Sequence, residues 1–277
     1  MIAFVVTAPV DQVEVASDVL WQLGVRAIEE RTIESDRRLI ELWTAVGDDP
    51  ASVDRAAQQI GQRWPWRTVS VNDPVSEAWR HFARPMWVDD GLVVVPAWQD
   101  HAVGVDVLAV AIEPGGAFGL GDHPTTLLSL QAVRRIGPRL DTRRVLDVGC
   151  GTGVVAIVAA LLGAAEVRAV DIASAAVEAT ADNAARNGVR ERVVVDTTPA
   201  AELEGSFDLV VANILAPTLI RLAADLRRLT RPGGHLVISG ILADAHAHVL
   251  EALEPMVVQR TDSLDGWAAV TLGHPRR

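Results

Sequence analysis

The run "VLDVGCGTG" (residues 145–153) sets Gly149, Gly151 and Gly153 between two apolar stretches. Glycines at the end of a strand let the backbone pass close to a ligand at the amino terminus of the following helix. A nicotinamide-type Gly-x-Gly-x-x-Gly would need glycine at position 154, which is Val154, and a Walker phosphate loop would need a lysine, of which the chain has none. Asp171 ends "AEVRAVD", 22 residues after Gly149. An acid there can accept hydrogen bonds from both hydroxyls of a ribose, or cap the helix that follows. Asp147, just before the glycines, is placed to face a cationic amino group through water, and Asp196, ending a later strand, to meet an adenine amine.

Asn213 ends "FDLVVAN" and is followed by Ile214, Leu215 and Ala216. A carboxamide there can accept a hydrogen bond from a substrate amine. No aromatic follows on which a nucleobase would stack, which favours an aliphatic amine over adenine. "GGAFGLGDHPTT" (residues 115–126) holds four glycines ahead of Pro124. The proline suits the first turn of a helix capped by Asp122 or His123. The free amides of that turn, with the Thr125 and Thr126 hydroxyls, make a site for a carboxylate. Phe118, between glycines, can cover a bound molecule. His123 is also the nearest candidate for a base. His246 and His248, two apart on a helix, do not face one point, so no metal is expected.

Two kinds of pattern position these residues. From Arg143 onward, unbroken apolar strands alternate with helices, the signature of a parallel sheet covered on both faces. "PMVVQRTDSLDGWAAVTLG" adds two strands around a turn, an antiparallel hairpin for the sheet edge. Residues 2–71 read β-α-β-β-α-β, the order of a ferredoxin-like α+β domain. The expected division is 1–73 as a small recognition domain, 74–113 as a connecting segment and 114–277 as the ligand-binding α/β domain. Seven of the eight tryptophans lie at or before residue 98, where packing of an aromatic-rich core and a junction is the expected use.

Composition narrows the class further. Apolar residues make up 49% and the net charge is −11, which suits a folded protein and disfavours direct binding to nucleic acid phosphates. All 25 basic residues are arginine. A single cysteine fits a reducing cytoplasm, and neither a leader peptide nor a membrane span is expected.

The glycine motif resembles the first motif of Rossmann-like class I methyltransferases, which bind S-adenosylmethionine. "AFGLGDHPTT", "VLDVGCGTG" and "FDLVVANILA" together, with "EAWRHFARPMWVDDGLVVVPAW" upstream, resemble the PrmA family, the methyltransferases of a large-subunit ribosomal protein. Leu120 and Asp122 stand where the family pattern has threonines. The resemblance implies an N-terminal domain that holds the ribosomal protein. It also implies a catalytic domain that methylates lysine side chains and the N-terminal amine, with Thr126, Gly149, Asp171 and Asn213 as cofactor contacts. Two rival readings remain: transfer to another protein or a small amine, and a cofactor-binding interaction module without catalysis.

Overall fold

The computed structural model describes residues 2–23, 25, 28–33, 36, 38–44, 46, 50–61, 63–70, 84–99, 103–113, 123–137 and 143–275. These residues fall into two compact units, one ending at Ser70 and one beginning at Arg84.

The first unit runs β1 (Ile2–Pro9), α1 (Val13–Gln22), β2 (Ile28–Thr32), β3 (Leu39–Thr44), α2 (Pro50–Ile60) and β4 (Trp66–Ser70). Its sheet has the order β2-β3-β1-β4 with every pair antiparallel, the ferredoxin-like arrangement. Phe4, Val6 and Ala8 alternate along β1 onto the face shared with Leu20 of α1 and Ile60 of α2, as the two-residue period of a strand requires. On the opposite face the Trp43 ring lies between the Arg31 and Arg67 guanidinium groups. Its indole N–H donates to Glu41 Oε2 at 2.9 Å. Trp64 is buried, but Trp66 and Trp87 are exposed by 40% and 53%. Trp66 nonetheless stacks on the buried Phe4 ring, with centroids 5.1 Å apart, in line with an aromatic-rich core.

The second unit opens with β5 (Met86–Asp89), β6 (Leu92–Pro96) and β7 (Leu108–Ile112), a separate three-stranded sheet. This is the stretch expected as a connecting segment. Its Val88, Leu92, Val94, Val110 and Ile112 are buried in one core with the helices that follow. Then come α3 (Pro124–Ile136), β8 (Arg144–Val148), α4 (Val154–Leu161), β9 (Glu166–Val170), α5 (Ser174–Arg186), β10 (Val193–Asp196), β11 (Phe207–Asn213), α6 (Ala216–Leu229), β12 (Thr230–Leu242), α7 (Ala247–Ala252), β13 (Val257–Leu264) and β14 (Trp267–Gly273).

The sheet order is β10-β9-β8-β11-β12-β14-β13, parallel from β10 to β12 and antiparallel at β14 and β13. This is the mostly parallel seven-stranded sheet with a terminal hairpin that the sequence predicts. Each central strand feeds two cores. In β11, Leu209 and Val211 join the cluster of α3, α4 and α5, while Val210 and Ala212 join that of α6 and α7. Such burial on both faces explains why the strands read as continuous apolar runs. Among the described residues no helix is long and apolar enough to cross a membrane.

Candidate active site

Strand order reverses beside β8, whose neighbours are β9 on one side and β11 on the other. The crevice outside the carboxyl ends of these strands is where such sheets bind ligands, and Gly149, Asp171 and Asn213 all stand there. Gly149 leaves β8 with its N–H donated to the Val170 carbonyl at 2.8 Å. Asp171, one residue past β9, accepts from Gly151 N–H through Oδ2 and from Ala173 N–H through Oδ1, both at 3.0 Å. One carboxylate therefore braces the glycine loop and the entry to α5 together. Each of its oxygens can still accept from a further donor.

Asp147 is 2% exposed and its Oδ2 accepts the Ala156 N–H in the first turn of α4. Burial, with a smaller push from the Asp171 charge, raises its pKa to about 7 against the pull of that hydrogen bond. The observed bond goes to α4, a helix-capping role in place of the expected water-mediated contact with an amino group. Asp196 pairs with Arg168 and accepts the Thr198 N–H at 2.9 Å. An adenine amine would meet a carboxylate already engaged by arginine. Burial pushes the Cys150 thiol far up, which keeps it protonated and removes it as a nucleophile.

The Asn213–Ile214 turn is locked by close approach. Ile214 N–H donates to the Ser239 carbonyl at 3.2 Å. A Cβ on Gly149 would collide with Ile214 Cγ2, and one on Gly240 would lie 2.6 Å from the Ile214 carbonyl oxygen. Ile214 thus fits between two glycines, both with positive φ, and Asn213 is fixed at the strand end. Its side chain is half-buried, and no hydrogen bond to its carboxamide is seen among the described residues.

His123 caps α3 from an extended conformation, with Pro124 at the first helical position. Its Nδ1 accepts from Thr125 N–H at 3.3 Å and meets Thr125 Oγ1 at 2.8 Å, and the ring stands edge-on to Trp267. Thr125 and Thr126 are each 3% exposed. The Ser239 hydroxyl, with one proton to give, lies 3.0 Å from the Ala268 carbonyl oxygen and 3.3 Å from that of Thr125, and Ser239 pairs in register with Asn213. The start of α3 and the Asn213 turn are thereby drawn to one place. Phe118, Leu120 and Asp122 lie outside the described residues.

Sequence reasoning passed over Ile172, which follows Asp171 and is 89% exposed. An apolar side chain held in water beside Asp171 offers a surface on which a flat base could lie. His246 and His248 start α7, with His246 Nδ1 on the Leu242 carbonyl at 2.8 Å. Among the described residues no three His, Cys, Asp or Glu gather as metal ligands.

A methyl sulfonium nucleoside fits this donor set. The Asp171 carboxylate has the acceptors for a diol, acids there suit a cation, and the glycine loop leaves room for a ligand against the backbone. Comparisons with known proteins agree. Residues 6–274 match the family model described as ribosomal protein L11 methyltransferase (PrmA). A ribosomal protein L11 methyltransferase of Geobacter sp. (strain M21) is 35% identical, covering 90% of this chain and 85% of the relative. One from Marinobacter nauticus is 33% identical over 96% of both chains. The crystal structure of a ribosomal protein L11 methylase from Lactobacillus delbrueckii subsp. bulgaricus superposes with a TM-score of 0.64 at 31% identity, covering 69% of this chain and 99% of that one.

Proposed function

This chain belongs to the ribosomal protein L11 methyltransferase (PrmA) family, and from that premise we infer a protein N-methyltransferase. It transfers methyl groups from S-adenosylmethionine to lysine side chains and the N-terminal amine of ribosomal protein L11. The observation that carries the site assignment is the convergence of Gly149, Asp171 and Asn213 at one strand reversal, with the Asn213 carboxamide left for a ligand.

S-adenosylmethionine supplies an electrophilic methyl on a sulfonium. On the protein side, Gly149 and Gly151 admit the ligand, Asp171 takes the ribose hydroxyls and Ile172 lines the base. Asn213 Oδ1 accepts a hydrogen bond from the attacking amine and sets its lone pair toward the methyl carbon. A lysine amine has a pKa of about 10.4 and is protonated in water, so it must lose a proton first. Desolvation in the crevice and the nearby cation both favour the neutral form. His123 already uses Nδ1 to cap α3, so proton loss to solvent and precise positioning account for the rate. With the cofactor bound, the amine nitrogen would bond to the methyl carbon as the C–S bond breaks, and the neutral thioether would leave.

The first unit is the holder of the ribosomal protein. Deleting residues 1–73 is expected to abolish methylation of folded L11 while S-adenosylhomocysteine still binds in calorimetry. A full rate from the truncated chain would reassign recognition to the larger unit. Asn213→Ala is expected to lower single-turnover methylation at saturating cofactor by about a hundredfold, with affinity for cofactor changed far less. A near wild-type rate would restrict Asn213 to cofactor binding. Labelled cofactor incubated with extract from cells lacking the enzyme should mark L11, and a different labelled protein would overturn the substrate.

A further inference from the structure

Helix α5 does more than follow the ribose-binding acid. Its buried face carries Thr180 and Asn183, both fully inaccessible, and its end carries Asn187. Thr180 Oγ1 lies 3.0 Å from the Gly151 carbonyl oxygen and 3.3 Å from Cys150 Sγ. Asn183 Nδ2 donates to the Thr152 carbonyl at 3.0 Å and to the Glu113 carbonyl at 2.8 Å, and its Oδ1 accepts from Glu113 N–H at 2.9 Å. Asn187 repeats the paired bonds on Ala111: Oδ1 accepts the Ala111 N–H at 2.9 Å and Nδ2 donates to the Ala111 carbonyl at 2.8 Å.

The repeat has a geometric cause. Residues four apart on a helix are separated by about 6.0 Å along the axis, and residues two apart on a strand by about 6.6 Å. Two asparagines at i and i+4 can therefore serve residues 111 and 113 as an adjacent strand would, each carboxamide standing in for a peptide group. Only Asn183 also reaches the glycine loop. Together Thr180 and Asn183 hold the successive carbonyls of Gly151 and Thr152, which fixes the tilt of two peptide planes in the loop. The glycine at 153 answers the same contact, because a Cβ there would lie 2.6 Å from Thr180 Cγ2.

We propose that Thr180 and Asn183 are positioning residues for the cofactor site, setting the peptide planes of the Gly149–Gly153 loop and tying that loop to the end of β7. Neither touches the cofactor. Asn187 makes the same kind of bond to β7 without contacting the loop, so it bears on stability alone. The inference rests on the reading that this loop holds the cofactor.

The test measures affinity for S-adenosylhomocysteine by calorimetry and thermal unfolding for the full chain and three variants. Asn183→Asp keeps the acceptor toward Glu113 N–H and loses both donations. Thr180→Val removes one hydroxyl at constant volume. Asn187→Ala is the comparison. Asn183→Asp and Thr180→Val should each weaken binding about tenfold, as a buried carbonyl left without its donor implies. They should change kcat at saturating cofactor less than threefold. Asn187→Ala should lower the melting temperature by a similar amount and leave affinity within twofold of wild type. Equal loss of affinity in all three variants, or none in the first two, would overturn the proposal. If Asn183→Asp does not fold, Thr180→Val decides by the same criterion. Failure of the wild type itself to bind would overturn the cofactor reading of the loop instead.

Discussion

The two ends of the parallel sheet treat their acids in opposite ways. At the amino ends, Glu166 of β9 receives both Nε and Nη2 of Arg144 at 3.1 and 3.0 Å. Asp208 of β11 faces Arg143 and Arg231 and takes the Arg144 backbone N–H at 2.9 Å. At the carboxyl ends, Asp147 and Asp171 draw their hydrogen bonds from backbone amides. An arginine neutralises an acid and completes its hydrogen bonding. Backbone amides satisfy part of the lone-pair capacity and leave the negative field in place. The amino ends are finished structure, while at the carboxyl ends each oxygen of Asp171 can still accept from a further donor and the Asp147 carboxyl is held by burial and a single amide. Asp196 refines the rule, since it stands at a carboxyl end yet pairs with Arg168.

The sharpest way to break this comparison is to remove one acid of each kind. Asp171→Ala should weaken S-adenosylhomocysteine binding by about 1–3 kcal/mol, the loss of charge-assisted bonds to the ribose together with the brace on Gly151. Asp196→Ala should change binding by less than about 0.5 kcal/mol. Equal losses in calorimetry would mean that arginine pairing does not separate structural acids from binding acids. Tight binding of NAD by the wild type would undo the assignment of the crevice.

The contrast also marks what the sequence can reveal. Apolar runs announce the central strands because both faces are buried, and Gly149, Asp171 and Asn213 stand out by spacing along the chain. Reasons that come from distant segments do not. Gly149 is glycine partly because Ile214 lies against it. Asp147 looks like a ligand contact until the Ala156 amide is seen to bind it. The stretch from Met86 to Ile112, broken by Pro96 and rich in tryptophan, gives no local sign that β6 and β7 pair in parallel or share a core with α4. Asn183 and Asn187 lie in plain view within "DNAARNG", but their spacing acquires meaning only once β7 is beside them.

A second prediction uses proton binding to tell the two ends apart. The amino-end acids have lowered pKa values: Glu166 through its bonds to Arg144, and Asp208 because the Arg144 amide and the Arg231 and Arg143 charges outweigh burial. Their stabilisation is present above the ordinary carboxylate range and is lost as pH falls through the folded values. Asp147, raised to about 7 by burial, acts in reverse. The folded state binds its proton more tightly than the unfolded chain, so stability is lost as pH rises from about 4 through 7. Without cofactor, Asp147→Asn should melt above the wild type at pH 8, and the gap should close near pH 4. Its stability should rise more steeply, or fall less, between pH 5 and 8. Parallel melting curves across that range would show that Asp147 is not held as a buried acid.

Smaller effects belong to the amino ends. Asp208→Ala should cost about 1–2 kcal/mol, because three donors lose one acceptor, with cofactor affinity unchanged. Glu166→Gln should cost still less. Its carboxylate and the Arg144 guanidinium are 48% and 43% exposed, and exposed ion pairs contribute about 0–1 kcal/mol. In a chain of this size that corresponds to a fall in melting temperature of no more than about 2–4 °C. The fall should shrink in 1 M salt, where the screening length is about 3 Å. Glutamine keeps one acceptor for the guanidinium, so the remainder at high salt reports the hydrogen bond and the screened part reports the charge. The value of the measurement lies in what should stay still: cofactor affinity and single-turnover rate within error of wild type. A change in either would mean that charge at the amino ends reaches the crevice through the sheet, and the two ends would have to be treated as one electrostatic system.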